Sequence, residues 1–509
     1  MTCPSTGGVS YQGGYNVKIQ ELEMDDLPRR SGCAVAPGNI GQPSGFGRSG
    51  QSPHSDPSAR QPHHQCGHFL GRSREQRYYF ADRSNQGVDI IDAVNNKWVG
   101  RVGGMAGALP SGGGTSVTNG PGPNGVVVTP QKVLWAGDGN STVQVADVDP
   151  ASKTYLQILH SVSTALPACD GGSATTHYCG RADEIDYDPV DHIIMVANNA
   201  PLSVNSPHAA ITPYATFINA DPPYNVMGHI LFPGAGGLEQ PRWDDLTKRF
   251  LITVPGMLMN GSVATTPSIQ VINPVTLQSE KTYPVDCLKV AGVANTVSMT
   301  GIALRPNQHI LVSACGFPII LTLDKKTSKV NIIKVINQVG GGDEVWYNPG
   351  DDRFYVTGLD MTTPTGVQSL GVINAQTSEW LQNVPDVRGK NPAALPANNH
   401  IFTIVQITAA IAAGTAPDDS ICFTAFNVKG SGCVAVFQGG SSSQQQISSQ
   451  SSSQQQASSQ SSSQRQQSIS ISRSNSSGIS SRGSSNSSTT STSTSTTTSS
   501  STTTSSGRR

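Results

Sequence analysis

An all-β chain closed into a seven-bladed β-propeller is the fold the sequence predicts, and three observations predict it. Between residues 77 and 437, strand-like runs of four to seven residues alternate with turn residues, and no amphipathic helical period is sustained. The runs recur as a unit of up to four strands. The first two strands of a unit are joined by a turn of repeating chemistry: Tyr-Asp-Pro-Val-Asp-His at 187–192, Arg-Pro-Asn-Gln-His at 305–309, Tyr-Asn-Pro-Gly-Asp-Asp-Arg at 347–353, Leu-Pro-Ala-Asn-Asn-His at 395–400. Proline fixes φ at a turn position, and Asn, Asp and Gly tolerate the reversal that follows. Four short strands per repeat, closed as a wheel, leave few exposed sheet edges. A β-sandwich is the alternative, and it would not give this recurrence.

The units follow in chain order. Tyr78–Ala81, Val88–Ile91 and Trp98–Val102 supply the later strands of the first. Val126–Thr129, Val133–Ala136, Val143–Asp147 and Tyr155–Leu159 make the second. Glu184–Tyr187, Ile193–Ala197, Thr216–Asn219 and Val226–Leu231 make the third. Glu239–Trp243, Arg249–Val254, Ile269–Ile272 and Ser279–Pro284 follow. Then come Ile302–Leu304, His309–Ser313, Ile319–Leu323 and Val330–Val335. Glu344–Tyr347, Arg353–Thr357, Leu370–Ile373 and Trp380–Val384 come next. A shorter last unit has Ala393–Leu395, His400–Gln406 and Cys433–Phe437. The first blade reads as incomplete, because His68-Phe-Leu-Gly-Arg-Ser-Arg-Glu-Gln-Arg is a poor inner strand.

The domain plan is therefore a disordered leader at 1–67, a propeller at 68–437 and a Ser/Gln/Thr-rich tail at 438–509. The leader shows no period apart from a short helix-like stretch at Ile19–Leu27. The tail cannot bury enough apolar surface to offset chain entropy, and it reads as a flexible linker or an O-glycosylated stalk. Its charges are five arginines, which leaves about −6 on the preceding residues out of a net −1. A mildly acidic body argues against nucleic acid as a partner. No apolar run is long enough for a transmembrane helix. The start, Met1-Thr-Cys-Pro-Ser-Thr-Gly-Gly, has neither a basic nor an apolar signal region, so this sequence carries no secretory signal as it stands.

Nine cysteines contain no Cys-x2-Cys zinc signature. Cys3, Cys33 and Cys66 fall in the leader. The others form three sequence-local pairs, Cys169/Cys179, Cys287/Cys315 and Cys422/Cys433. These are either disulfides, suited to an oxidising compartment, or buried thiols.

The chemistry-bearing pattern is a register. Counting five residues back from the turn that ends each inner strand brings Glu184, Glu239, Glu344 and Asn391 to one level, with Gly125 and Gly301 as the equivalents in two other units. His68 falls there in the degraded unit. Inner strands surround a channel, so one register is a ring at its mouth, and the two glycines leave room in it. Asp183 and Asp343 add negative charge, and Arg181 and Arg242 are candidate partners for the acids. One reading is an oxygen-rich Ca²⁺ or Mg²⁺ site that polarises a substrate carbonyl. The other is that the glutamates pair with arginines and tie the blades together. Asp138 with Asn140 could ligate a cation but reads first as a turn. His177 and His192, near the acidic motif, are ordinary surface histidines. No Gly-x-Ser-x-Gly elbow, phosphate loop or dinucleotide fingerprint occurs. Trp98, Trp135, Trp243, Trp346 and Trp380 read as blade packing. Asn140 and Asn260 sit in glycosylation sequons that matter only in a secreted chain.

Four stretches carry a family resemblance: Tyr79-Phe-Ala-Asp-Arg-Ser-Asn-Gln-Gly-Val-Asp-Ile-Ile-Asp-Ala, Trp135-Ala-Gly-Asp-Gly-Asn-Ser-Thr-Val-Gln-Val, Ala182-Asp-Glu-Ile-Asp-Tyr-Asp-Pro and Gly341-Gly-Asp-Glu-Val-Trp-Tyr-Asn-Pro-Gly-Asp. They resemble the YVTN/YncE-like seven-bladed propellers, a group overlapping NHL-type and surface-layer propellers. The resemblance implies a monomeric wheel, and with the cysteine pairs an extracytoplasmic or secreted setting. It does not fix an activity, since similar wheels bind partners and include lactonases. Two functions stay open: a binding or scaffold propeller presenting its channel mouth to a protein or saccharide, and a metal-dependent, lactonase-like hydrolase using the glutamate ring.

Overall fold

The computed structural model describes residues 76–107, 122–139, 141–166, 181–198, 212–256, 266–293, 299–306, 309–385, 391–407, 411, 414–418, 420–427, 429–430 and 432–438, and the backbone of 16–18 and 34–35. A separate unit, 442–509, lies outside them, as do Cys3, Cys33, Cys66, His68, Asn140, Cys169, His177, Cys179, Asn260 and the 19–27 stretch.

Seven sheets make up the described residues. The N-terminal segment supplies β1 (Asn16–Lys18) and β2 (Ala34–Val35). Blade 1 is β3 (Arg77–Asp82), β4 (Gly87–Asp92) and β5 (Lys97–Gly103). Blade 2 is β6 (Val126–Val128), β7 (Val133–Asp138), β8 (Thr142–Asp147) and β9 (Ile158–Ser163). Blade 3 is β10 (Ala182–Asp188), β11 (Ile193–Asn198), β12 (Tyr214–Asn219) and β13 (Val226–Leu231). Blade 4 is β14 (Pro241–Asp244), β15 (Arg249–Val254), β16 (Ser268–Asn273) and β17 (Gln278–Pro284), followed by helix α1 (Cys287–Ala291). Blade 5 is β18 (Ile302–Leu304), β19 (Ile310–Ala314), β20 (Phe317–Asp324) and β21 (Lys329–Val335). Blade 6 has a split inner strand, β22 (Val339–Gly340) and β23 (Val345–Asn348), then β24 (Arg353–Asp360), β25 (Gln368–Asn374) and β26 (Trp380–Pro385). Blade 7 is β27 (Ala393–Leu395), β28 (His400–Val405), helix α2 (Ile421–Phe426) and β29 (Cys433–Gln438).

Each four-strand blade is an antiparallel meander in chain order. The inner strands touch in the sequence β6, β10, β14, β18, β23, β27, and β3 stands between β27 and β6. The ring therefore closes. Apolar clusters bridge each blade to the next. Trp135 and Tyr187 join blades 2 and 3, Phe217 and Phe250 join 3 and 4, and Tyr283 and Ile319 join 4 and 5. Leu311 and Phe354 join 5 and 6, Tyr355 and Phe437 join 6 and 7, and Phe402 with Tyr78 closes 7 onto 1. Burying each such side chain contributes about 1.5–3 kcal/mol, so the wheel is held mainly between blades.

The turns repeat as their chemistry predicts. In six blades the residue just before the strand that follows the first turn is left-handed: Gln76, Lys132, His192, Lys248, Asp352 and Asn399 all have φ of 53–60°. Gln76 stands just before β3, the first described strand of blade 1. The turns between third and fourth strands show a second such series, at Asn96, Leu156, Tyr224, Leu277, Ser328 and Ser378.

Four details differ from the sequence expectation. The outer strand of blade 2 begins at Ile158, not Tyr155, because a hydroxyl-rich turn extends to Leu156; Thr154 Oγ1 there donates to Asp147 Oδ2 at 2.6 Å. Glu239 and Glu344 lie just before β14 and β23, not within them. The break before β23 falls at Gly341 and Gly342, with φ of 70° and 112°. Finally, β1 pairs antiparallel with the outer edge of β29 and β2 pairs parallel with its start, so the leader supplies blade 7's outer layer.

Cys287 is bonded to Cys315 and Cys422 to Cys433, with Cα separations of 5.1 and 5.6 Å. The first ties α1 to the β19–β20 turn, and the second fastens α2 to the start of β29. No described helix is long and apolar enough to cross a membrane.

Candidate functional site

The register ring is built where inner strands begin, at the end of the wheel opposite the proline-containing turns. Neighbouring ring positions touch. Gly125 N donates to Asp183 O at 2.8 Å. A Cβ on Gly125 would fall 2.6 Å from that oxygen and 2.8 Å from Glu184 Cα. A Cβ on Gly301 would fall 2.5 Å from Asp343 O and 3.0 Å from Glu344 Cα. The glycines thus do not widen the mouth. Their space is taken by the backbone of the next inner strand, which corrects the expectation of open room.

The acids are sunk into the wall. Asp183, Glu184, Glu344 and Asn391 are all at least 96% buried, while Glu239 and Asp343 are half-buried. Burying a carboxylate is costly unless a cation or donors offset it. Arg181 serves Asp183, its Nε and Nη2 lying 2.8 and 2.5 Å from Oδ2. Arg242 serves Glu344, with Nη2 3.8 Å from Oε2. The same guanidinium lies 5.9 Å from the Trp346 ring centroid and donates Nη1 to its neighbour Pro241 O at 3.0 Å. Arg242 belongs to blade 4 and Glu344 to blade 6, so this contact spans blade 5.

A belt of hydrogen bonds knits the mouth from blade to blade. Arg83 Nε donates to Pro123 O at 3.1 Å, and its Nη2 donates to Asn124 Oδ1. Asn124 Nδ2 donates to Ala182 O at 2.8 Å. Asp186, further along β10, accepts from Trp243 N at 2.6 Å. Gln240 Oε1 accepts from Ile302 N at 2.6 Å. Thr253 Oγ1 donates to Thr300 O, Thr300 Oγ1 to Gly342 O at 3.1 Å, and Ser313 Oγ to Gly342 O at 2.8 Å. Sequence reasoning found the acids and both arginines but missed this belt. A signal existed for its stretch in blades 4 and 5, where the second-strand residue beside the ring is a hydroxyl, Thr253 and Ser313.

The remaining candidates resolve as structural parts. Asp138 Oδ1 accepts from Gly139 N at 2.8 Å and Ala106 N at 3.0 Å, and Oδ2 accepts from Gln144 Nε2 at 3.0 Å. Burial pushes this carboxyl above its usual range, against those donors. His192 lies beyond the far end of β10 from Glu184 and pairs with Asp221 Oδ2 at 3.0 Å, so it is not beside the acidic motif. Trp135 is fully buried against Tyr224, Trp98 Nε1 donates to Asp89, and Trp380 Nε1 donates to Asn383. Among the described residues no group of three or more His, Cys, Asp or Glu is placed to hold a metal ion.

No family model matches the chain, and no curated protein matches it. Among solved structures, the β-propeller domain of Cps50 (Swd1) from Myceliophteria thermophila is similar in shape, with a TM-score of 0.47 and 7% identity. That similarity covers 74% of this chain and 97% of the other.

Proposed function

We propose that the protein is a binding or scaffold propeller that presents its channel mouth to a protein or saccharide ligand. The observation that carries this reading is the belt around the mouth. Side chains and backbone of adjacent blades are bonded in series, so the polar rim is fixed before any ligand arrives. A rim ordered in advance lowers the entropy cost of binding. The motif resemblance to YVTN/YncE-like wheels, some of which bind partners, is consistent with this reading.

The test is a triple replacement, Glu184→Gln, Glu239→Gln and Glu344→Gln, in the full chain. Wild type and variant are compared on an immobilised panel of peptides and oligosaccharides, and on a lactone panel with Ca²⁺ or Mg²⁺ added. Wild-type binding that the variant weakens, with no lactone turnover by either, is the expected result. Metal-dependent lactone hydrolysis that disappears in the variant would replace this reading with the hydrolase one.

A further inference from the structure

Each blade ends in an outer strand, and the backbone groups on its outer edge invite another strand unless charge, proline or a covering segment prevents it. Most outer strands of this wheel have such protection. β5 carries Lys97 and Arg101, β17 carries Glu280 and Lys281, and β21 carries Lys329 and Lys334. β26 ends in Pro385, and β29 is covered by β1 and β2. β9 exposes serines beside Leu159. β13, Val-Met-Gly-His-Ile-Leu, has no acid, lysine or arginine, and it exposes Val226 (37%), Met227 (43%) and Leu231 (53%). No other outer strand exposes more than one large apolar side chain.

The backbone of β13 is set to receive a strand. Phe232 N donates to Pro213 O at 2.9 Å, which fixes the phase of the β12–β13 ladder. Alternate residues share a direction, so Gly228 and Ile230 turn their N–H and C=O groups toward β12, while His229 and Leu231 turn theirs away from the blade. Among the described residues β13 pairs with β12 alone. The bulge in this ladder falls before Gly228 and leaves residues 228–231 regular. His229 is held in place, with Nδ1 3.0 Å from Thr216 Oγ1 and its ring edge-on to Tyr214. Burial pushes its imidazole below the usual range, toward the uncharged form.

We propose that β13 is a self-association edge: a second copy of this chain adds its own β13 antiparallel, about a two-fold axis through Ile230. His229 of each copy then lies opposite Leu231 of the other. The outward N–H and C=O groups of these two residues close four hydrogen bonds, and two four-stranded blades become one continuous sheet. Met227 falls opposite Pro233 of the other copy, which covers exposed apolar surface on both sides of the axis. The occupant is a second copy because this edge meets itself without like charges, whereas β21 would bring two lysines from each copy to the seam. A single strand pair is a small contact, so the dimer forms reversibly. This departs from the monomeric wheel that the motif resemblance implies, and it does not rest on the function of the channel mouth.

Sedimentation equilibrium of the full chain, from low micromolar to submillimolar concentration, should show an average mass that climbs from one chain toward two. Leu231→Lys places an ammonium group on the seam, and Leu231→Pro removes an outward N–H without touching a bond to β12. Each should raise the dimer dissociation constant by roughly tenfold or more. Leu381→Lys, the same change on β26, should leave association as in wild type. Ile230→Cys tests the axis even if Leu231→Pro melts early. Directly opposite Cα atoms of a non-hydrogen-bonded pair lie about 4.5 Å apart, within disulfide reach, so mild oxidation should turn this variant, and not wild type, into a covalent dimer. The proposal is overturned by a mass that stays at one chain throughout, which would leave the edge to a foreign strand or to none. It is also overturned if both Leu231 variants associate as wild type does, if Leu381→Lys abolishes association, or if Ile230→Cys gives no more covalent dimer than wild type.

Discussion

Arg242 on blade 4 and Glu344 on blade 6 meet across the blade between them, with Nη2 3.8 Å from Oε2 and both residues at least 91% buried. A pair so deep is weak testimony for stability, because its attraction must first offset desolvation, whereas breaking it strands one buried charge. Arg242→Met should destabilise the wheel by about 3 kcal/mol, the low end for such pairs because the contact is long. Adding Glu344→Leu should recover part of the loss. Urea unfolding of the single and double variants measures the coupling, and a fully additive double variant would show that the pair does not interact.

Gly125 and Gly301 make a steric prediction. A methyl group at either position would lie 2.5–2.6 Å from a backbone oxygen of the next inner strand, too close for contact without moving that strand. Gly125→Ala and Gly301→Ala should each cost about 1–3 kcal/mol. Calorimetric melting checks this, and an unchanged melting temperature would mean that the inner strands sit farther apart than described.

Most of the wheel is legible in the sequence because its determinants are local. Short strand-like runs bounded by turn residues, and a turn of repeating chemistry after the inner strand, need no distant partner to be recognised. Glu184 and Glu344 share a register for the same reason, since a repeat count finds it. What the count cannot supply is depth. Only packing shows that Glu344 is buried under Arg242, or that Gly301 is filled by Asp343 O and not by open space. The hydroxyl belt was hidden because Thr253 and Ser313 also suit an ordinary strand. The strands at 16–18 and 34–35 were unreadable because the edge they cover belongs to β29, some four hundred residues away.

The two disulfides differ in loop length, and their contributions should differ accordingly. Closing a loop of sequence separation 28, Cys287 to Cys315, corresponds to about 3.6 kcal/mol in the chain-entropy account, and one of separation 11, Cys422 to Cys433, to about 2.8 kcal/mol. Cys287→Ser/Cys315→Ser should therefore lower stability more than Cys422→Ser/Cys433→Ser. Treatment with dithiothreitol before denaturation should reproduce the sum of the two. If wild type unfolds identically with and without reductant, neither bond constrains the unfolded chain.

Asp89 in blade 1 gives the fold a pH dependence. Its carboxyl is buried beside Asp82, and it accepts from Trp98 Nε1 at 3.0 Å and from Arg101 Nε and Nη2, both at 2.8 Å. Burial and the Asp82 charge push it from 3.8 up to about 7, against the pull of Arg101. A carboxyl raised in the folded state keeps its proton after the unfolded chain has released one. Below about pH 4 both states are protonated and nothing is lost. Between about 4 and 7 the unfolded state is favoured increasingly, so stability from this group falls as pH rises, and above about 7 the loss is complete. Exposed acids such as Asp149 and Glu280, held low by Lys132 and Arg249, push the opposite way over a more acidic window. Comparison with Asp89→Asn removes that background. The variant keeps an acceptor for Trp98 or Arg101, and Arg101 keeps Asp82 at 3.4 Å. Wild type should lose melting temperature relative to Asp89→Asn from pH 4 to 7, with the gap constant above. A gap that stays flat, or that closes as pH rises, would show that Arg101 holds Asp89 ionised throughout.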